Sequence, residues 1–180
     1  MLFIFDLDNT LVVTYETQPL SGVARRLRIL VEQGYRLAVA TNQAGLAWRV
    51  AKMDAKFPDP ESLARRFLAI AEALPPLMRA PWFVAIGDGR LSLSEAAYAA
   101  LVDDLRMAAE PLEVHVSARA DWRKPEPGML LAACERHQMA PSEAIYVGDV
   151  ATDAEAAAAA GMDFAMAVEF FVVEGSGPAD

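Results

Sequence analysis

The sequence predicts an α/β protein, a three-layer sandwich with helices on both faces of a mainly parallel sheet. Short, largely apolar runs of strand length alternate with amphipathic stretches of helical length along the whole chain. Strands buried on both faces read as continuous apolar runs, and strands joined by helices pair in parallel through right-handed crossovers. Polar residues gather just after several of the runs. Open parallel sheets bind ligands beyond the C-terminal ends of their strands.

The elements follow in order. LFIF (2–5) is the first strand. From Ser21 to Gln33, Val23, Leu27, Leu30 and Val31 recur at helical intervals and Gly34 stops the helix. RLAVA (36–40) is the next strand, and residues 61–74 form a helix with Leu63, Phe67, Ile70 and Leu74 on one face, ended by Pro75-Pro76. WFVAI (82–86) is a strand. The following Asp88-Gly89 fits either a hairpin turn or a passage into a helix capped by Ser92 with Glu95, and the second reading is preferred. Residues 94–109 are helical, LEVHV (112–116) a strand, 127–138 a helix, AIYVG (144–148) a strand, and 153–161 a short helix closed by Gly161. MDFAMAV (162–168) is expected to be a final strand. The expected organisation is one domain over 1–174, with a loop and helix insertion within 46–110 and a flexible tail at 175–180.

Composition narrows the function. With 180 residues, 54% of them hydrophobic, the chain can bury a sizeable core. A net charge of -9 argues against nucleic acid or an acidic membrane held by general electrostatics. The single cysteine, Cys134, excludes an internal disulfide and a multi-thiolate metal site, and suits a reducing cytoplasm. No stretch approaches the roughly 20 apolar residues of a membrane span. Asp6 and Asp8 interrupt the apolar start, which also lacks a signal peptide's basic region.

The strand ends carry the chemistry. Asp6 and Asp8 follow the first strand, Thr41-Asn42-Gln43 the second, Arg123-Lys124-Pro125 the loop after LEVHV, and Asp149 the strand AIYVG, with Asp153 four residues on. Each is unremarkable alone, because Asp and Asn favour turns, Thr caps helices, and Lys before Pro is a common loop charge. Together they put acids, a hydroxyl and cations on one edge of one sheet.

In FDLDNTL, ATNQAG, RKPEPGM and VGDVATD, in this order, the chain resembles the haloacid dehalogenase (HAD) superfamily of Rossmann-like hydrolases. TNQ-A-G with RKP-x-PGM resembles in particular the branch of histidinol-phosphate phosphatase, heptose-bisphosphate phosphatase and polynucleotide 3′-phosphatase. The resemblance implies a HAD-like fold without a large cap domain and a Mg²⁺-dependent phosphomonoester hydrolase. Asp6 would be the nucleophile that forms an aspartyl-phosphate, and Asp8 the general acid and base. The metal would be held by Asp6, the backbone carbonyl of Asp8 and Asp149, with Asp153 behind them. Thr41, Asn42, Arg123 and Lys124 would bind the phosphate. A carboxylate attacking a phosphate dianion meets like-charge repulsion, which is why a cation is needed. An i, i+2 spacing keeps Asp6 and Asp8 on one side of an extended chain.

The interval HVSARADWRKP holds one histidine and no cysteine, so the zinc loop common in that branch is not expected. His115, His137 and Cys134 read as structural, Asp88 as a turn residue, and Gln43 and Gly45 as shaping their loop. Trp82 reads as packing, while Trp48 and Trp122 are expected at the rim of the site. The expected substrate is a small phosphorylated metabolite, bound in a cytoplasmic protein with no membrane partner. The alternatives are a polynucleotide 3′-phosphatase and a non-catalytic phosphate- or Mg²⁺-binding module. Substrate identity and oligomeric state are not legible.

Overall fold

The computed structural model describes residues 1–172. The tail expected at 175–180 lies outside the described residues. Six parallel strands form one sheet: β1 (Leu2–Phe5), β2 (Arg36–Asn42), β3 (Trp82–Ala85), β4 (Val114–Ser117), β5 (Ala144–Gly148) and β6 (Asp163–Met166). Their order is β4-β3-β2-β1-β5-β6. The chain builds outward from β1 to β4, then returns to the other side of β1. The connection therefore reverses between β1 and β5, the position at which a parallel sheet opens a crevice for ligands.

Side-chain parity sorts the core into two halves. Phe3, Phe5, Val39, Trp82 and Val84 point to one face, which is covered by α1 (Val23–Glu32), α3 (Pro60–Ala73) and α4 (Glu95–Ala108). Leu2, Ile4, Ala38, Ala40 and Phe83 point to the other, under α5 (Gly128–His137) and α6 (Ala151–Ala160). Small residues dominate the second face: Ala38 and Ala40 on the sheet meet Ala133, Ala156 and Ala157 on the helices. The three-layer expectation is met, with no separate cap domain among the described residues. No helix among them is long and apolar enough to cross a membrane.

Local signals account for most boundaries. Asp59 caps α3 by accepting from Ser62 N at 2.7 Å while Ser62 Oγ accepts from Asp59 N at 3.0 Å, with Pro60 in the first turn. The preferred passage from β3 into a helix is correct, but Ser94 rather than Ser92 caps α4, accepting from Ala97 N at 3.2 Å. The strand expected from Leu112 begins at Val114, because Leu112 N is tied back to Ala109 O at 2.9 Å in the turn that ends α4. The last strand stops at Met166 and gives way to α7 (Ala167–Phe170), which delivers Phe170 to within 5.6 Å of the Phe3 ring. One helix was not legible at all: α2 (Gly45–Lys52), eight residues directly after the polar end of β2.

Within 46–110, then, α3 and α4 cover the sheet and β3 joins it. Phe67 anchors this arrangement, fully buried with its ring 5.0 Å from that of Trp82. Phe67→Ala should lower unfolding free energy by about 3–5 kcal/mol, the range for emptying a buried aromatic site. Thermal denaturation should then show a melting point roughly 10 °C lower. A shift of a degree or less would mean α3 is not packed on the sheet.

Candidate active site

The strand register brings the two central acids together. Phe5 pairs with Val147 across β1 and β5, and Asp6 N extends the ladder to Val147 O at 2.9 Å. Asp6 and Asp149 therefore leave adjacent strand ends. Asp153 arrives from the first turn of α6. Carboxylate oxygens of Asp6, Asp149 and Asp153 lie within 4.8 Å of one another.

Lys124 sits against this cluster. Its Nζ donates to Asp6 Oδ1 at 2.6 Å, Asp153 Oδ1 at 2.7 Å and Tyr146 Oη at 2.7 Å, and the side chain is buried. All three protons of the ammonium are thereby used. Burial pulls Lys124 toward its neutral form, but the charges of Asp6 and Asp153 outweigh it and raise its pKa. Burial pushes the Asp6 carboxyl up to about 6 against the opposing pull of Lys124. Burial and the neighbouring Asp153 charge raise Asp149 as well. Asp153 is fully buried, and its second oxygen accepts from the backbone N–H of Asp149 at 3.1 Å and of Val150 at 3.3 Å. It secures the turn that carries Asp149.

Lys124 is held in place by Asn42. The Asn42 side chain accepts from Lys124 N at 3.1 Å and donates to Lys124 O at 3.2 Å, a two-bond clamp between the end of β2 and the loop before α5. Thr41 is buried, and its Oγ1 accepts from Gln43 Nε2 at 3.0 Å. Thr10 Oγ1 stands 3.5 Å from Asp149 Oδ1. Arg123 has Nη1 buried without a hydrogen-bond partner among the described residues, and its side chain is among those lining a cavity of about 1010 Å³. Asp8, Gln43, Trp48 and Arg66 also line that cavity.

The Asp8 side chain lies outside the three-acid cluster. Beyond the ladder bond of Asp6 the chain turns: Leu11 N and Val12 N both return to Leu7 O at 2.9 and 3.2 Å, and Asn9 adopts a left-handed φ of 56°. Asp8 Oδ2 accepts from Gln43 Nε2 at 3.1 Å, and Oδ1 from Tyr15 N at 3.2 Å and Arg66 Nη2 at 2.5 Å. Sequence reasoning passed over Arg66, which belongs to none of the motifs and sits in an ordinary helical pattern. Tyr146 was missed too, because inside an apolar strand it reads as core. Burial and the neighbouring Asp6 and Asp153 charges raise its phenol well above the usual range.

The two tryptophans expected at the rim divide. Trp48 lines the cavity, but its ring is enclosed by Phe57, stacked at 6.3 Å, and by the Arg90 guanidinium at 5.4 Å. Its Nε1 donates to Asp88 Oδ2 at 3.0 Å. Asp88 is more than a turn residue: buried and held well below the usual carboxylate range by hydrogen bonds from Arg90, it buttresses the wall. Trp122 is not at the cavity; it packs 6.2 Å from Phe83 in the opposite core half. Cys134 is buried in that half, Trp82 is core, and His115 stacks on Phe83 at 4.8 Å, as expected of structural residues.

Comparison with known proteins agrees with this architecture. Residues 111–167 match the family model of haloacid dehalogenase-like hydrolases. No curated protein sequence matches the chain. Among solved structures, a candidate HAD-like phosphatase from Mesorhizobium loti is similar with a TM-score of 0.51 and 19% identity, over 89% of this chain and 68% of that one. A D,D-heptose bisphosphate phosphatase from B. bronchiseptica, solved with magnesium and phosphate, gives a TM-score of 0.49 and 19% identity, over 91% and 78%. The chain has the haloacid dehalogenase-like fold, and its segment from the turn before β4 to the end of β6 carries that family's sequence pattern.

Proposed function

We propose that this chain is a Mg²⁺-dependent phosphomonoester hydrolase that acts through an aspartyl-phosphate on Asp6. The observation that carries the reading is the charge of the buried cluster. Three carboxylates, Asp6, Asp149 and Asp153, face one ammonium, Lys124, which leaves two negative charges uncompensated. A hard dication with oxygen ligands fits that deficit. Asp6, Asp149 and the Asp8 carbonyl would hold it. Asp153, whose oxygens already bind Lys124 and two backbone N–H groups, would act from behind. Mg²⁺ would supply the charge neutralisation that lets a carboxylate approach a phosphate dianion.

The chain's own groups do the rest. A carboxylate oxygen of Asp6 attacks phosphorus while Asp8 gives a proton to the departing alkoxide oxygen. Asp8 then takes a proton from water, which attacks the aspartyl-phosphate and releases inorganic phosphate with Asp6 restored. Thr41 hydroxyl, the Asn42 backbone N–H and the Lys124 ammonium hold the phosphoryl oxygens, and Arg123 contributes a guanidinium whose buried Nη1 lacks a hydrogen-bond partner among the described residues.

The substrate we propose is a small phosphorylated metabolite rather than a polynucleotide, in a cytoplasmic setting. Other cations around the cavity already have carboxylates: Arg49 with Asp59 at 3.6 Å, Lys56 with Asp54 at 3.1 Å, and Arg66 with Asp8 at 2.5 Å. That leaves few free contacts for a run of phosphates, which a polynucleotide substrate would require.

Phosphate release should be measured over a panel of sugar phosphates, nucleotides and 3′-phosphorylated oligonucleotides. Activity should vanish in chelator and return with Mg²⁺. Asp6→Asn should abolish labelled phosphoenzyme, whereas Asp8→Asn should keep Mg²⁺ affinity and slow turnover by about 10²–10⁴-fold. Undiminished hydrolysis in chelator, or by Asp6→Asn, would refute the reading.

Acidity provides a separate check on the metal site. Burial pushes the Asp6 carboxyl up to about 6, and only its ionised form can serve as a ligand. Protons therefore compete with the metal below that pH. Calorimetric Mg²⁺ affinity should be level above about pH 7 and fall by up to roughly tenfold per unit below 6. An affinity independent of pH between 5 and 7.5 would place the metal elsewhere.

A further inference from the structure

We infer that Arg66, on the α3 helix outside every motif, is a positioning residue for Asp8, so that the segment between the motifs sets the geometry of proton transfer. This rests on the phosphatase reading above. Arg66 is bound at two points: its Nη2 donates to Asp8 Oδ1 at 2.5 Å and its Nε to Glu16 O at 3.0 Å. The side chain is only 12% exposed. The helix beneath it is rigid, fixed by the Asp59–Ser62 capping box at one end and by Phe67, the next residue, against Trp82.

The other side of Asp8 is held independently. Gln43 Nε2 donates to Asp8 Oδ2 at 3.1 Å and to Thr41 Oγ1 at 3.0 Å. The carboxylate is thus gripped between an amide from the end of β2 and a guanidinium from α3. Tyr15 N also donates to Oδ1, at 3.2 Å, so without Arg66 that oxygen keeps one longer backbone bond in place of the buried guanidinium, and the carboxylate is held less tightly. A planar guanidinium fork fixes direction as well as distance, which a lysine ammonium does not. Arg49 and Lys56 line the same cavity but pair with Asp59 and Asp54 on nearby segments. Arg66 alone among these cations reaches the proposed acid.

A partly buried ion pair can also do no more than dock a helix, so the test must read proton transfer itself. Two esters distinguish the cases: p-nitrophenyl phosphate, whose phenolate departs without a proton, and benzyl phosphate, whose alkoxide needs one. The parameter is kcat/KM, which reports the step that expels the leaving group. Arg66→Gln should reduce kcat/KM by about 10²-fold on benzyl phosphate and by less than about tenfold on p-nitrophenyl phosphate, the asymmetry expected for impaired acid catalysis. Arg66→Lys should recover part of the loss. Arg65→Gln, at the exposed neighbouring position, should change neither ester. In an Asp8→Asn background, Arg66→Gln should cause no further loss, because both act through one proton. Mg²⁺ affinity measured by calorimetry should be unchanged in Arg66→Gln. Equal losses on both esters, or full additivity with Asp8→Asn, would reduce Arg66 to a structural contact and overturn the inference. If the wild type hydrolyses neither ester nor any compound of the wider panel, the phosphatase reading itself has failed.

Discussion

The Lys124 ammonium is the interaction on which the rest of the structure depends. An unpaired buried charge is prohibitively expensive, and removing one partner from a buried pair typically costs about 3–5 kcal/mol. Lys124 avoids that cost because Asp6, Asp153 and Tyr146 take all three of its protons. The reverse holds for the acids, which could not share so small a volume without it. Each partner comes from a different part of the chain: the end of β1, the first turn of α6 and the body of β5. The ammonium therefore fixes the relative position of strands and helices that share little else.

Several local features exist to deliver it. Asn42 closes a two-bond clamp on the Lys124 backbone, so the end of β2 sets where the lysine enters. Gly148 allows Asp153 to fold beneath the end of β5. A Cβ there would lie 2.4 Å from Asp153 Oδ2 and 2.5 Å from Asp153 Cβ, closer than real atoms approach. Small residues on the α5 and α6 face let those helices sit near the sheet, and both helices adjoin residues of the cluster.

The segment between the second and third motifs does two jobs at once. Its helices α3 and α4 cover one face of the sheet, as any helices in such a fold must. The same segment supplies Arg66 to Asp8 and the Trp48–Asp88–Arg90 group that stiffens the cavity wall. With no separate cap domain among the described residues, this segment supplies much of the cavity wall.

The sequence by itself determined the layered fold, nearly all of its strands and helices, and the residues that end those strands. Period, helix caps and apolar runs are local properties, readable a few residues at a time. Asp6, Thr41, Lys124, Asp149 and Asp153 were legible because each lies at the end of a strand or in the connection that follows one, and parallel strands present their ends along one edge. The tertiary structure decided what depends on long-range neighbours. Tyr146 and Arg66 occupy unexceptional positions in a strand and a helix, and only packing across 22 and 58 residues of sequence gives them Lys124 and Asp8 as partners. Trp48 and Trp122 looked alike in sequence, each just beyond a polar loop. The face of the sheet on which each loop lands sent one to the cavity wall and the other into the core.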